Sequence, residues 1–351
     1  MNIKDLVNKN ISWLKGSGLN SDIVVSSRIR LARNLPDFSF KNSANGVQEK
    51  QVQEILKSAF GKINILKNAY YFDLKTAEPL EKVFLVERHL ISKEHAEYTG
   101  YHSVMVSQDE SISVMFNEED HVRLQVLFPG SQLLDCWRIA NKIDEEVEKI
   151  IKFAFIKEWG YLTSCPTNVG TGLRASVMVH LPCLVLTKQI NKMLEAIAKL
   201  GLAVRGLYGE GTSAAGDFFQ ISNQMTLGFR EEELIDNIER ICQQVIQHEM
   251  DSRQKLYQKE KVKLEDRVWR AYGLLKNARI LNYNEAIDLF SAIRLGLSLG
   301  ILKEPTRQIL NELFLITQPA HIQFLSGEKL SPMERDVNRA ILIRDKIDRK
   351  K

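Results

Sequence analysis

Five arginines lie in segments whose pattern predicts strands or turns. They are Arg28 and Arg30 in SSRIR, Arg123 in NEEDHVR, Arg174 in GTGLRAS and Arg205 in RGLYGEG. Because Arg28 and Arg30 are two residues apart on a predicted strand, their side chains share one face and repel each other unless an anion lies between them. Planar guanidinium groups suit the oxygens of a polyphosphate. The set predicts a nucleotide triphosphate site without a GxxxxGK[ST] loop; the alternative is solvated surface arginines paired with nearby acids.

Two acidic stretches, at residues 117–120 and 209–211, lie within a few residues of these arginines. Phosphate does not need carboxylates, but a guanidinium acceptor does, since its pKa above about 12 keeps it protonated and poorly nucleophilic. Carboxylates would bind such an acceptor, align one nitrogen with the γ-phosphate and receive a proton. The alternative is an ordinary acidic turn and an ordinary hairpin. The local sequence leaves both interpretations open.

One of the four cysteines stands in a polar context. Cys165 lies in TSCPTN, a turn-forming stretch shortly before Arg174, whereas Cys183 lies in an apolar run. A thiol beside cationic groups is partly thiolate and could help to orient a bound cation. The alternative is a cysteine that simply packs.

The segments that must position these residues alternate between strand-like and helical patterns from about residue 22 to 228. Several strands follow one another without a helix between residues 102 and 128, which favours an α+β fold with a mainly antiparallel sheet flanked by helices. Residues 82–90, KVFLVERHL, are predicted as a strand. The clearest predicted helices are near 48–60, 133–159 and 188–200.

After residue 231 the strand-like runs disappear and the pattern becomes helical. We therefore predict an all-helical C-terminal domain, with a helix that starts at Ser331-Pro332 and has Glu334 three residues after its cap. The predicted organisation is an N-terminal helical segment at 1–21, a catalytic domain at 22–254 and a helical, regulatory domain at 255–351.

The composition of the chain excludes several classes of protein. The chain has 351 residues, a formal net charge of +4 and 44% hydrophobic residues, as is ordinary for globular proteins. No run of like charges indicates a nucleic-acid tail, no segment reads as a signal peptide, and no apolar stretch approaches the roughly 20 residues of a bilayer crossing. The four cysteines show no paired spacing, which argues against a zinc site and a disulfide framework. We expect a cytoplasmic protein with no membrane or direct nucleic-acid partner.

Five motifs in order, SSRIRLARN, NEEDHVR, CPTNVGTGLRAS, RGLYGEG and ISNQMTLG, resemble the catalytic domain of the phosphagen (guanidino) kinases, such as arginine and creatine kinase. The resemblance spans about residues 22 to 230. It implies that the five arginines bind nucleotide phosphates, that Glu119 and Glu210 hold the guanidinium, that Cys165 is the active-site cysteine and that His89 lies near adenine. The implied ATP contacts are Ser26, Ser27, Arg28, Ile29, Arg30, His89, Arg123, Arg174, Ala175, Ser176, Val177, Met178, Arg205, Gly206, Leu207, Tyr208, Gly209 and Glu210. Mg²⁺ arrives with ATP, held mainly by phosphates and water, with no protein metal site expected.

Two features depart from the small-molecule kinases. SSRIR begins at residue 26, which leaves no room for the domain that helps to enclose a free guanidino substrate, and the GEGTSAAGD segment changes the residues around its glutamate. The whole chain instead resembles the protein-arginine kinase branch of the family. A C-terminal match, Arg335-Asp336-Val337-Asn338-Arg339-Ala340, resembles that branch's RDxxRA phosphoarginine-binding motif; Arg335 and Arg339 would share one helix face. The alternative is a solvated helix surface with an Asp–Arg pair.

The resemblance implies transfer of the ATP γ-phosphoryl to arginine side chains of proteins. The alternatives are a small-molecule phosphagen kinase and a phosphoarginine-reading protease adaptor. The resemblance further implies a homodimer, allosteric regulation and a role in the bacterial stress response. Its implied partners are a heat-shock repressor as substrate, a zinc-binding activator protein and a Clp-type protease.

Overall fold

A computed structural model of the protein describes residues 2–7, 9, 11–206 and 215–348. Its strands are Val24–Arg33 (β1), Tyr70–Asp73 (β2), Ser103–Val106 (β3), Ile112–Phe116 (β4), Val122–Pro129 (β5), Phe155–Ile156 (β6), Gly160–Tyr161 (β7), Leu173–His180 (β8), Leu202–Gly206 (β9) and Phe218–Asn223 (β10). Eight of them form one sheet in the order β2-β3-β4-β5-β1-β8-β10-β9, and β6 and β7 form a separate hairpin. Every pairing in the large sheet is antiparallel. The predicted α+β class with an antiparallel sheet is confirmed.

The helices are Gly46–Phe60 (α1), Pro79–Glu87 (α2), Lys93–Glu97 (α3), Leu133–Glu148 (α4), Pro182–Leu186 (α5), Ile190–Lys199 (α6), Glu231–Asn277 (α7), Tyr283–Ser298 (α8), Arg307–Ile316 (α9), Pro319–Ser326 (α10) and Pro332–Asp348 (α11). The region after residue 231 is helical, as predicted. Helix α11 begins at the predicted cap: the Glu334 amide donates to Ser331 Oγ, and the Ser331 amide donates to the Glu334 carboxylate at 2.8 Å.

Two sequence predictions of local structure are wrong. Residues 82–90 are not a strand, because α2 starts at Pro79 and the Glu78 amide donates to the Glu81 carboxylate at 3.0 Å in the helix's first turn. The helix predicted at 133–159 ends at Glu148. Beyond it the Ala154 amide donates to the carbonyl of Asn34, the residue after β1, at 2.7 Å, so this contact holds the chain extended where its apolar spacing would permit a helix.

The largest core lies on one face of the sheet. Ile29 and Leu31 of β1 are fully buried there against α4 and the first half of α7. A second core joins the far half of α7 to α8, α9 and α11. Helix α7 thus contributes to both cores, with a non-helical residue at Glu260 (φ −133°, ψ 37°).

The N-terminal segment covers one end of the sheet's opposite face. Trp13 and Leu14, in a short 3-10 helix, pack with Leu127 of β5, Phe218 of β10 and Phe314 of α9. The C-terminal helical region therefore packs against this end of the sheet's second face, on the side opposite the largest core. Across the described ranges, no helix is both long and apolar enough to span a membrane.

Candidate active site

The sheet register places four arginines side by side. Directly opposed residues of antiparallel strands project to the same face, and alternate residues of one strand do so as well. Arg30 of β1 lies opposite Arg174 of β8, while Arg123 of β5 lies opposite Ala32, two residues further along β1. Arg28 shares the face because it is two residues before Arg30. We call this surface the arginine face.

Arg205 belongs to the same face through three residue pairings. It lies opposite Gln220 of β10, which lies opposite Met178 of β8, which in turn lies opposite Ser26 of β1. Arg205 itself is exposed at the outer strand of the sheet. All five arginines singled out by sequence are therefore on one side of one sheet, with the core on the other.

Burial and mutual repulsion lower the pKa of three of these arginines. Burial, followed by repulsion from Arg123 and Arg174, lowers the pKa of Arg28 to about 10. Burial and the neighbouring arginines also lower the pKa of Arg30 well below its usual value, and burial with Arg205 and Arg123 lowers that of Arg174. Both effects penalise the charged form, so a bound anion would relieve them.

Two guanidinium nitrogens on this face are buried without a partner. Arg30 Nε and Arg174 Nε have no hydrogen-bond acceptor among the described residues. A buried donor without an acceptor is costly, and an acceptor-rich ligand would satisfy it. Arg28, by contrast, donates from Nη2 to Gln220 Oε1 at 2.6 Å, which fixes its direction along the face.

The acidic turn between β4 and β5 divides its three carboxylates between different tasks. Glu118 is buried and accepts from Arg123 Nη1 and from Ser92 Oγ, both at 2.6 Å. Asp120, also buried, accepts from Asn34 Nδ2 at 2.7 Å and from the Ser164 amide at 2.6 Å.

Glu119, between those two acids, is exposed. Burial of part of the side chain, then repulsion by Asp120 and Glu118, raises its pKa, which makes it a better proton acceptor than an isolated carboxylate. It also contacts the thiol of Cys165.

These groups line one pocket, which we call the mixed-charge pocket. Its lining includes Arg30, Glu118, Glu119, Asp120, Arg123, Cys165, Thr167, Asn168 and Arg174. Cys165 Sγ lies 3.0 Å from Thr167 Oγ1 at the start of a short 3-10 helix, Pro166–Asn168. Thr226 Oγ1 holds this loop through the Thr167 carbonyl at 3.0 Å. The structure thus brings together cations for an anionic ligand and a carboxylate for a cationic one.

A second pocket on the arginine face, the His89 pocket, contains Ser26, Arg28, His89, Ser176 and Met178 of the predicted ATP contacts. Burial, with repulsion from Arg28, lowers the pKa of His89 to about 4, so its ring is neutral at physiological pH. His89 has φ +59°, and its carbonyl accepts from Gln125 Nε2 at 2.6 Å.

Four other predicted contacts have their side chains on the core face. Ser27 Oγ donates to the Gly130 carbonyl at 2.8 Å, and Ile29, Ala175 and Val177 are buried in the core. Only their backbone could reach a ligand on the arginine face. Gly206 is the buried last residue of β9, and the predicted sites at Leu207, Tyr208, Gly209 and Glu210 lie outside the described residues.

Comparison with known proteins identifies the family. A family model for the ATP:guanido phosphotransferase C-terminal catalytic domain matches residues 51–252, and one for the protein-arginine kinase McsB C-terminal domain matches residues 261–351. A protein-arginine kinase of Geobacillus sp. (strain WCH70) is 47% identical over 344 residues, covering 96% of this chain and 93% of the relative. One of Bacillus cereus (strain B4264) is 48% identical over 356 residues, covering 99% of each.

The chain belongs to the protein-arginine kinase family. The family predicted from the motifs is confirmed. Solved structures extend the likeness in fold: the duplicated taurocyamine kinase of Schistosoma mansoni has a TM-score of 0.58 at 23% identity, covering 69% of this chain and 36% of that one. A lombricine kinase has the same TM-score at 24% identity, covering 69% and 71%.

The predicted phosphoarginine motif of this family member lies in the first turns of α11. Arg339 is 1% exposed and donates to the carbonyls of Thr317 at 2.7 Å and Leu281 at 2.8 Å, and it pairs with Asp336. Arg335 is half-buried and donates to the Leu330 carbonyl at 3.1 Å. The hydrogen bonds and ion pair of Arg339 are thus made within the protein, whereas the side chain of Arg335 makes one hydrogen bond, to a backbone carbonyl.

Sequence reasoning missed the side chains that support the active site. Glu118 and Gln220 orient Arg123 and Arg28, and Asp120 ties the acidic turn to the loop of Cys165. The sequence did contain a signal for Gln220. In the strand FFQISN, side chains alternate between the two faces, so Gln220 lies on the face opposite the buried Phe219 and Ile221. For Glu118 and Asp120 none existed, because three adjacent acids look alike in sequence. No group of three or more His, Cys, Asp or Glu side chains within the described ranges could hold a metal ion.

Proposed function

We propose that the chain transfers the γ-phosphoryl group of Mg-ATP to the guanidinium of arginine side chains in proteins. The observation that carries the proposal is the mixed-charge pocket, which is lined both by Arg30 and Arg174, each with an unpartnered guanidinium donor, and by the exposed carboxylate of Glu119. This combination suits a triphosphate on one side and a cationic acceptor on the other. Relatives named as protein-arginine kinases along nearly the whole chain support a protein acceptor over a free one.

The proposed reaction assigns a task to each group. A guanidinium nitrogen of the acceptor attacks the γ-phosphorus, an N–P bond forms, and the bond to the β,γ-bridging oxygen of ATP breaks to leave ADP. The attacking nitrogen loses a proton to a carboxylate, for which the raised pKa of Glu119 is suited. Arg28, Arg30, Arg123, Arg174 and Arg205 offset charge on the phosphates and on the loose transition state. Glu210 is proposed as the second carboxylate.

Cys165 and Mg²⁺ have supporting parts in this proposal. The thiol of Cys165 contacts Glu119 and faces Arg174, a position from which it can orient the acceptor. We propose that Mg²⁺ enters with ATP, held mainly by phosphate oxygens and water, and supplies charge neutralisation.

The experiment is acid-sparing phosphosite mass spectrometry after incubation of the protein with Mg-ATP and an unstructured arginine-containing protein. Phosphate should appear on arginine with the wild type and be lost with Glu119→Gln, which should retain fold and nucleotide binding. Glu54→Gln, an exposed carboxylate on α1, is the matched control and should remain active. Normal phosphoarginine formation by Glu119→Gln would remove that carboxylate from the mechanism. ATP consumption only with free arginine would make the chain a phosphagen kinase.

We further propose that Arg335, Asp336 and Arg339 form an allosteric phosphoarginine site. Arg335 is the member best placed to bind, because Arg339 already holds two carbonyls and Asp336. Arg335→Ala should abolish stimulation by a phosphoarginine peptide while basal transfer persists. If client delivery to a protease collapsed with transfer intact, the reader role would dominate.

The remaining proposals concern setting and partners. We propose a cytoplasmic homodimer in the bacterial stress response, with a heat-shock repressor among its substrates. A zinc-binding activator protein would stimulate it, and a Clp-type protease would act on the marked proteins. These proposals are tested by comparing which of the proposed partners co-purify with the wild type and with Arg335→Ala.

A further inference from the structure

Trp13 is a buried residue with an unused polar atom. It is 2% exposed, and its indole Nε1 has no hydrogen-bond acceptor among the described residues. Tryptophan N–H groups usually find a partner when they are buried, because an unmade hydrogen bond in the interior is costly. This donor therefore suits an acceptor that the protein itself does not supply.

The position of Trp13 is fixed from two sides. The Ser12 amide donates to the Asp109 carbonyl in the turn between β3 and β4, and Asn311 Nδ2 of α9 donates to the Leu14 carbonyl at 3.1 Å. The catalytic sheet and the helical region thus hold the same short turn. The backbone on both sides of Trp13 is therefore held in place before any ligand binds.

Trp13 forms a wall shared by two pockets. It lines the His89 pocket, with its ring edge-on to His89 at 5.3 Å between centroids and 69° between planes. It also lines an apolar pocket beside it, together with Met178, Phe218 and Phe314. The flat apolar surface and the neutral His89 ring suit a heteroaromatic ring better than they suit phosphate.

The order of side chains along β1 gives the direction of a bound nucleotide. Arg30 lies in the mixed-charge pocket with Glu119, Arg28 lies in the His89 pocket, and Ser26 lies two residues further away. Successive same-face residues of a strand are about 7 Å apart. A triphosphate whose terminal group lies near Glu119 therefore runs past Arg28 and leaves its base near Ser26, His89 and Trp13.

We propose that Trp13 is a base-binding residue of the kinase, whose indole N–H donates a hydrogen bond to a ring nitrogen of the purine. The inference rests on the proposed nucleotide site and adds to it a residue from the N-terminal segment. It makes base recognition depend on a segment held in place by the helical region.

The test compares Mg-ADP with inorganic tripolyphosphate as ligands in equilibrium binding. Trp13→Phe keeps an aromatic ring beside His89 and removes the N–H together with part of the indole ring. Its affinity for Mg-ADP should fall roughly three- to ten-fold, the range for one neutral hydrogen bond, while its affinity for tripolyphosphate stays unchanged. Trp159→Phe, at a tryptophan that is 53% exposed, is the matched control and should match the wild type with both ligands.

Unchanged Mg-ADP affinity in Trp13→Phe, or equal losses for the two ligands, would overturn the inference. Failure of the wild type to bind Mg-ADP would instead remove the proposed nucleotide site. A ligand-side measurement covers the case in which the variant does not fold. Among ADP analogues that replace one purine ring nitrogen with C–H, one should lose the same factor against the wild type; no loss with any of them would contradict the hydrogen bond.

Discussion

Strand β1 carries arginines on both of its faces, and the two faces differ in what surrounds the charge. On the core face, Arg33 donates to Asp144 Oδ2 from Nε at 3.1 Å and from Nη2 at 2.6 Å. Its Nη1 donates to the carbonyls of Ala32 and Thr171, both at 2.9 Å, and its guanidinium lies 3.4 Å above the Tyr161 ring. The protein itself satisfies this cation.

On the arginine face, three residues away, Arg30 lies opposite another arginine and has an unpartnered Nε. Glu118, the carboxylate that attracts Arg30, is paired with Arg123. A cation satisfied by the protein stabilises the fold, whereas one left unsatisfied marks a place for a ligand. The comparison makes opposite predictions for the same substitution on the two faces.

The largest expected effect is on transfer. Arg30→Met should lower kcat/KM for phosphoarginine formation by roughly 10³-fold or more, as for other arginines that offset charge in phosphoryl transfer. Its thermal unfolding temperature should be unchanged or higher, because a buried cation repelled by its neighbours is removed. A clear loss of stability in this variant would mean that Arg30 is a structural residue, and the comparison would fail.

The next effect is on stability. Arg33→Met should lower the free energy of unfolding by about 3–5 kcal/mol, because it leaves Asp144 buried without its cation. Urea unfolding measures this. The control is Arg33→Met combined with Asp144→Leu, which should recover most of the loss, since a well-packed apolar pair replaces the ion pair. No recovery would indicate that the carbonyl bonds and the Tyr161 contact dominate.

Buried carboxylates extend the comparison. Burial would raise the pKa of Glu118, but Arg123 and Ser92 lower it to about 2. Burial raises the pKa of Glu87 from 4.5 to about 7, although it accepts from the amides of Ala320 and His321. Since the folded state holds this proton more tightly than the unfolded one, its stabilising effect is complete below about pH 4.5 and is lost as pH rises through about 7.

Glu87→Gln should therefore flatten the pH dependence of unfolding. The wild type should lose on the order of 3 kcal/mol more than the variant between pH 4.5 and pH 8, on the basis of the pKa difference. Chemical unfolding at a series of pH values measures this difference. Parallel curves for the two proteins would show that Glu87 does not titrate in this range.

The smallest effect belongs to an exposed pair. Arg138 lies 3.0 Å from Asp135 on α4, and their side chains are 67% and 52% exposed. Arg138→Ala should change the free energy of unfolding by less than about 0.5 kcal/mol, because solvent and salt screen such pairs. A loss near that of Arg33→Met would show that burial is not what separates the two faces.

The sequence predicts the arginine face better than it predicts the support around it. Alternation in SSRIR places Arg28 and Arg30 together, because a strand has a strict period of two. The antiparallel sheet follows from strands that succeed one another without helices. The register that brings Arg174 opposite Arg30 depends on pairing between segments about 140 residues apart. The residues around either arginine do not specify this register.

The wrong helix prediction at 149–159 and the unpredicted burial of Arg339 have the same origin. Residues 149–159 are apolar enough for a helix, but the contact of Ala154 with Asn34 and the pairing of β6 with β7 prevent one. Burial of Arg339 depends on carbonyls at Leu281 and Thr317, which the α11 sequence does not contain. Helix and strand periodicity describe one element at a time, whereas these outcomes depend on two.

The packing of Trp13 and Leu14 against Phe314 and Leu315 has a consequence for biosynthesis. Residues 11–14 leave the ribosome hundreds of residues before α9. Their apolar side chains therefore cannot pack against Phe314 and Leu315 until α9 has been synthesised. The sheet's own core needs the first half of α7, and only later can α9 cover the turn that holds Trp13. Residues 11–14 are therefore only partly covered until α9 has been translated.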